Sequence, residues 1–240
     1  MKTYVQSELL RNSGALNAVS MRVQEKPKHF SMRRVHDPNA AEHHNRKELF
    51  ASLGFDLESV ARVEQVHSDR FVRVESPGNY AKADALVTSK PNIALAISIA
   101  DCVPVLLFDK RQRIAAAVHA GWRGSALNIT STTASYMVDE AGSRPGDMLA
   151  FVGPAAGVCC YEVGQDVASR FPAEFLEPGG SVGKSMLDLK AANAAQLVAI
   201  GIPPDNIEVS EYCTICNSGF HSFRRDGDAS GRMLATIGFK

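Results

Sequence analysis

Three apolar runs in close succession constrain this chain more than any other feature. Ile93 to Ile99 is apolar almost throughout, Val103 to Phe108 follows, and Ile114 to Val118 comes third. Short apolar runs bounded by turn residues read as strands buried on both faces. The charged segment Asp109-Lys110-Arg111-Gln112-Arg113 separates the second run from the third and predicts a β-hairpin. Cys102 stands where the hairpin begins and His119 where it ends, beside the turn Gly121-Trp122-Arg123-Gly124. A thiol and an imidazole at the ends of buried strands point to a site, because strand ends and turns are where sites are built.

The balance of charge narrows the partners. Lys plus Arg number 26 and Asp plus Glu number 26, so no net field draws the chain to nucleic acid or to an anionic membrane. Any anion must be bound locally. No segment nears the ~20 apolar residues of a membrane helix, and Met1 to Arg22 holds no signal-like apolar run. Five cysteines, with Cys159 and Cys160 adjacent, make a poor disulfide framework and favour a reduced, cytoplasmic protein. With no linker and no fixed-period repeat, a single domain over residues 1–240 is the expectation.

Strands are expected over Tyr4–Leu10 and Ala15–Val23, split by Asn12-Ser13-Gly14. Lys26–Asp37 reads as a loop. A helix is expected over Pro38–Leu53, with Asp37 as cap and Gly54 as stop. Val60–Val66 and Phe71–Val74 alternate as strands do, with His67 at the corner between them. Ser125–Glu140, Gln165–Phe171 and Asp188–Ile200 read as helices, and Leu149–Val152 and Ile207–Ser210 as strands. The tail from Cys213 to Lys240 is rich in Gly, Ser and Arg, which suggests a segment held by site contacts rather than by core. The alternation of strands and helices makes the class α+β.

His67, Cys102 and His119 are three potential ligands at three strand ends. A catalytic zinc takes three protein ligands, and metal-bound water ionises near neutral pH. Arg123, at the head of the Ser125 helix, is a candidate anion fork. Asp84 and Asp101 are candidate proton carriers. Trp122 reads more as core than as a stacking platform. Cys213-X-X-Cys216 with His221 suggests half a zinc knuckle that lacks a fourth ligand.

Several motifs resemble one family. These are Gln65-Val66-His67, Ala83 to Thr88, Ala100 to Asp109 and His119 to Gly124, continued by Cys160-Tyr161-Glu162-Val163-Gly164, Cys213-Thr214 and Ser222-Phe223-Arg224-Arg225-Asp226. The family is the laccase-domain, or polyphenol oxidase-like, family of zinc-dependent purine nucleoside phosphorylases. The resemblance implies a layered α/β/β/α sandwich with mixed sheets, and zinc, or copper, held by His67, Cys102 and His119. It implies phosphorolysis of adenosine, inosine and S-methyl-5'-thioadenosine, deamination of adenosine, and purine nucleoside and phosphate as the partners. It also points to Arg22, Gln65 and Cys160 near substrate, and to a monomer or weak homo-oligomer. The family's Ser-Thr-Arg and Gly-Gly loop is replaced here by Ser20-Met21-Arg22-Val23-Gln24.

Two other functions use the same atoms. A copper-dependent phenol oxidase could use a His-Cys-His set, but a multicopper centre needs many more histidines than the seven present, none of them in a His-X-His pair. A cysteine hydrolase would use Cys102 as nucleophile with His119 or His67 as base.

Overall fold

The computed structural model describes residues 3–35 and 37–240; Met1, Lys2 and His36 lie outside it. The strands are β1 (Tyr4–Val5), β2 (Leu16–Ser20), β3 (Val60–Val63), β4 (Phe71–Arg73), β5 (Gly78–Tyr80), β6 (Ala85–Thr88), β7 (Ala94–Ile99), β8 (Val103–Asp109), β9 (Ile114–Ala120), β10 (Met148–Val152), β11 (Glu162–Gly164), β12 (Leu176–Pro178), β13 (Lys184–Leu187), β14 (Ile207–Val209) and β15 (Met233–Gly238). The α-helices are α1 (Glu8–Asn12), α2 (Ala41–Ser52), α3 (Trp122–Ala126), α4 (Ile129–Asp139), α5 (Gln165–Ala168), α6 (Leu189–Ala199) and α7 (Phe223–Asp226).

Two six-stranded mixed sheets form the centre, ordered β1-β2-β15-β7-β3-β5 and β14-β10-β8-β9-β6-β4. A small three-stranded sheet, β11-β13-β12, stands beside them. Side chains alternate faces along a strand, and here they divide three cores cleanly. Leu95, Ile97 and Ile99 of β7 meet Leu106 and Phe108 of β8 between the sheets. Ala94 and Ala96 face outward onto Leu49 and Phe50 of α2. Val105 and Leu107 of β8 face the other way, onto Ile129 and Met137 of α4 and Leu189 and Leu197 of α6. The result is the α/β/β/α sandwich.

The expected hairpin is β8–β9, antiparallel, with Asp109 paired to Ile114 and Val103 to Ala120. The first apolar run, β7, lies in the opposite sheet. The chain therefore changes sheets at Ala100-Asp101-Cys102, where Asp101 takes a left-handed φ of 82°. It also changes sheets between β3 and β4, where His67 has φ 59°. Such backbone is uncommon for residues with a side chain and clusters at functional sites.

Other segments differ from expectation for local reasons. Residues 8–12 are helical rather than extended because Ser7 caps them, its side chain accepting from the Leu10 N–H. Helix α2 starts at Ala41, and Asp37 instead accepts from the Asn39 amide. The expected Ser125–Glu140 helix opens earlier, at Trp122, and breaks at Asn128 in left-handed backbone. Helix α5 ends at Ala168, three residues short of Phe171. The tail departs most: β15 is fully buried and runs between β2 and β7 at the heart of the first sheet.

Candidate metal centre

The His67 corner, the Asp101-Cys102 corner and the end of β9 meet at one edge of the sandwich. They bring His67, Cys102 and His119 together, with their ligand atoms all within 4.8 Å of one another. The two imidazoles pack edge to face, centroids 4.9 Å apart. Gly121 completes the cradle. A Cβ there would stand 3.0 Å from both Cys102 Sγ and His67 Cδ2, so a side chain would push two of the three donors aside.

Asp84 sits behind this set, fully buried. Its carboxylate accepts the His119 Nδ1–H at 2.8 Å, the amides of Val66, His67 and Ser68 at 3.2, 2.9 and 2.6 Å, and the Ser68 hydroxyl at 2.9 Å. Its carbonyl also accepts the His119 amide at 2.7 Å. One residue thus shapes the His67 corner, fixes the His119 ring and leaves Nε2 of His119 facing the other donors. Burial alone would raise the Asp84 carboxyl, but the hydrogen bonds from His119 and Ser68 outweigh it and hold the group at about 2.

Burial also opposes charge on Cys102, yet the His119 charge and hydrogen bonds from both imidazoles bring its thiol down to about 6. Burial opposes charge on His119 in turn, but Cys102 and Asp84 raise it to about 9. Both directions favour a thiolate–imidazolium pair in the metal-free site. A bound metal would take Cys102 as a thiolate ligand and would displace the His119 proton.

The donor set fits one divalent ion. Metal–ligand distances of about 2.0–2.3 Å put tetrahedral donors about 3.5 Å apart, within reach of the separation seen. A carboxylate on the non-ligating nitrogen of a histidine is the usual outer support of such a site.

A cavity of about 410 Å³ opens onto the donors, lined by Gln65, His67, Ser98, Ala100, Cys102, His119, Phe223 and Arg232. Gln65 clamps the β7 backbone, donating to the Ser98 carbonyl at 2.8 Å and accepting its amide at 2.7 Å. Phe223, 47% exposed, forms an aromatic wall with the Arg232 guanidinium 5.6 Å from its ring centroid. Neither Phe223 nor Arg232 stands out in sequence as a site residue, although Phe223 lies inside the Ser222–Asp226 motif.

The remaining sequence candidates do not line this cavity. Asp101 is occupied by its own chain, accepting from the Thr214 hydroxyl at 2.6 Å and the Arg224 amide at 2.7 Å. Arg123 is exposed and lies over the Trp122 ring, 4.2 Å from its centroid, away from the cavity lining. Arg22 lines a separate cavity of about 600 Å³ with Lys28, His29 and Arg33. Cys160 lies in a group of four cysteines, and His221 is buried near the His29 carbonyl, apart from Cys213 and Cys216.

Comparison with known proteins shows the family of the chain. A family model described as multi-copper polyphenol oxidoreductase laccase matches residues 23–240. The chain belongs to this family. A relative from Deinococcus radiodurans named purine nucleoside phosphorylase is 42% identical over 200 residues, covering 81% of this chain and 76% of its own. A relative from an unknown prokaryotic organism, named adenosine deaminase RL5, is 34% identical over 209 residues, covering 80% and 79%. The crystal structure of the Bacillus licheniformis hypothetical protein YfiH superposes with a TM-score of 0.91 at 32% identity, covering 100% of this chain and 97% of that one. In this member of the laccase-domain family the motifs around His67, Cys102 and His119 meet at a single edge of the fold.

Proposed function

We propose that this chain is a zinc-dependent purine nucleoside enzyme that phosphorolyses adenosine, inosine and S-methyl-5'-thioadenosine and deaminates adenosine. The observation that carries the reading is the meeting of three donors, the number a catalytic zinc takes, at the floor of a nucleoside-sized cavity. The names of the relatives supply the substrate class. A divalent ion held by His67, Cys102 and His119 would supply Lewis acidity and a nucleophile at neutral pH.

The chain's own residues would do the rest. Phe223 would hold the purine face, since bases stack on aromatic rings. Gln65 would keep β7 fixed beneath it. Asp84 would hold His119 in one tautomer and one orientation. Deamination adds water at purine C6 and expels ammonia. Phosphorolysis joins a phosphate oxygen to the ribose C1' and breaks its bond to the base nitrogen, releasing free base and ribose 1-phosphate. Arg232 is the cation that lines the cavity and would face the phosphate.

A cysteine hydrolase is the second reading, favoured by the Cys102–His119–Asp84 alignment. The convergence of His67 on the same thiolate weighs against it, because a hydrolytic pair needs no third donor there. A phenol-oxidising multicopper centre is less favoured. Among the described residues, the groups of three or more metal-capable side chains are this trio and the four cysteines.

Incubation of the purified protein with adenosine or inosine, with and without phosphate, tests the proposal. Ammonia from adenosine without phosphate marks deamination, and phosphate-dependent release of free base marks phosphorolysis. If neither product forms in the zinc-loaded protein, the reading is overturned.

A further inference from the structure

Four of the five cysteines gather at a place the proposed chemistry does not use. Cys159, Cys160, Cys213 and Cys216 bring their sulfurs within 4.8 Å of one another, with Cys159 and Cys160 Sγ 3.6 Å apart. From these positions we infer that the four cysteines form a second, structural metal site, a tetrathiolate for one zinc ion. Four thiolates around zinc at about 2.3 Å stand about 3.8 Å apart, so small side-chain adjustments close the shell. A polynuclear iron–sulfur cluster would hold its thiolates further apart than this, because the cluster itself lies between them.

The backbone is arranged to serve sulfur. Cys213-Thr214-Ile215-Cys216 has the two-residue spacing of a zinc knuckle. The Gly157 amide donates to Cys213 Sγ at 3.2 Å, and the amides of Cys216 and Ile215 are also turned toward that sulfur. The turn after Gly157, whose carbonyl accepts the Cys160 and Tyr161 amides, brings the adjacent sulfurs of Cys159 and Cys160 to the same side. Gly157 permits the approach. A Cβ there would lie 3.0 Å from the Cys213 Cβ and 3.4 Å from the sulfurs of Cys159 and Cys213.

This closed set of four differs in kind from the open set of three, and its position suggests its purpose. It ties the loop after β10 to the segment before α7, and each arm grips Asp101. The Ala156 amide donates to the Asp101 carbonyl at 2.9 Å, and the Thr214 hydroxyl donates to its carboxylate. Asp101 is the left-handed residue that presents Cys102. A zinc in the cysteine set would therefore brace the corner that holds the first metal centre. That last step rests on the proposed function; the existence of the second site does not.

The test uses the full chain carrying Cys102→Ala, which cannot fill the first centre. Purified without added metal and assayed by elemental analysis, it is expected to hold about one zinc per chain. Cobalt-exchanged, it is expected to show the tetrahedral absorption and sulfur-to-metal charge transfer of four thiolates. Adding Cys159→Ser or Cys216→Ser, both at exposed positions, should weaken metal retention and lower the charge-transfer intensity per cobalt while circular dichroism stays native. The inference is overturned if folded Cys102→Ala protein holds no tightly bound metal. It is equally overturned if mass spectrometry finds the four cysteines paired as disulfides in freshly purified protein.

Discussion

The Asp84 carboxylate receives the Nδ1–H of His119 at 2.8 Å with both side chains buried, and the same carboxylate receives three successive amides at the His67 corner. One side chain therefore sets the orientation of two candidate metal donors that lie 52 positions apart in the sequence, from 67 to 119. Replacing it with asparagine, Asp84→Asn, keeps the shape but turns an amide N–H₂ toward donors. Metal affinity is expected to fall about 10–100-fold, measured by chelator competition well below the melting temperature. Unchanged affinity with only a lower Tm would mean that Asp84 serves the fold alone.

Acid stability follows from the same carboxyl. Folding lowers it to about 2, so its contribution is complete above about pH 4 and disappears as pH falls through 2. A drop from the ordinary aspartate range is worth about 2 kcal/mol. Denaturant titrations of metal-free protein between pH 5 and pH 2 are expected to show that much more loss in the wild type than in Asp84→Asn.

Gly121→Ala tests the tightness of the cradle. The new methyl would press on Cys102 Sγ and His67 Cδ2 at 3.0 Å. Metal affinity and turnover are expected to drop at least tenfold, whereas the melting temperature of metal-free protein shifts by only a few degrees. Calorimetric metal titration reads the first effect and thermal unfolding the second.

The thiol of Cys102 is held down to about 6 by two imidazoles. In metal-free protein, alkylation mapped to the Cys102 peptide should rise with pH around that value, well below the ~8.5 of an ordinary thiol. Bound metal should suppress it across the range. A midpoint at the ordinary value would remove the thiolate–imidazolium pair from the account.

Phe223→Ala should spare the fold, since an exposed side chain outside the core costs little to remove. Loss of one base-stacking face is worth about 1–3 kcal/mol. The expected result is an increase in KM for nucleosides of about tenfold or more with a smaller change in kcat.

The hairpin and its two chemical ends were legible because the apolar runs of β8 and β9 are long, β-branched in part and separated by an unambiguous charged turn. His67, Cys102 and His119 could be picked out because each lies at a turn. What the sequence hid was tertiary. The strand Met233–Gly238 has no strong pattern of its own and is extended because β2 and β7 hold it on both edges. Asp84 stands out in sequence as a candidate proton carrier, but its place behind His119, where three amides and an imidazole meet it, emerges only in the fold. Cys213-X-X-Cys216 looks like half a site because its other half, Cys159-Cys160, lies more than fifty positions earlier and pairs with it only through the fold.

The central claim is that His67, Cys102 and His119 hold one catalytic ion. Elemental analysis of wild type and Cys102→Ala, paired with adenosine and inosine turnover on the same samples, tests it most directly. The account predicts that the variant stays folded, carries one zinc fewer per chain and turns over neither nucleoside. A folded Cys102→Ala protein that keeps its full metal content and its turnover would contradict it.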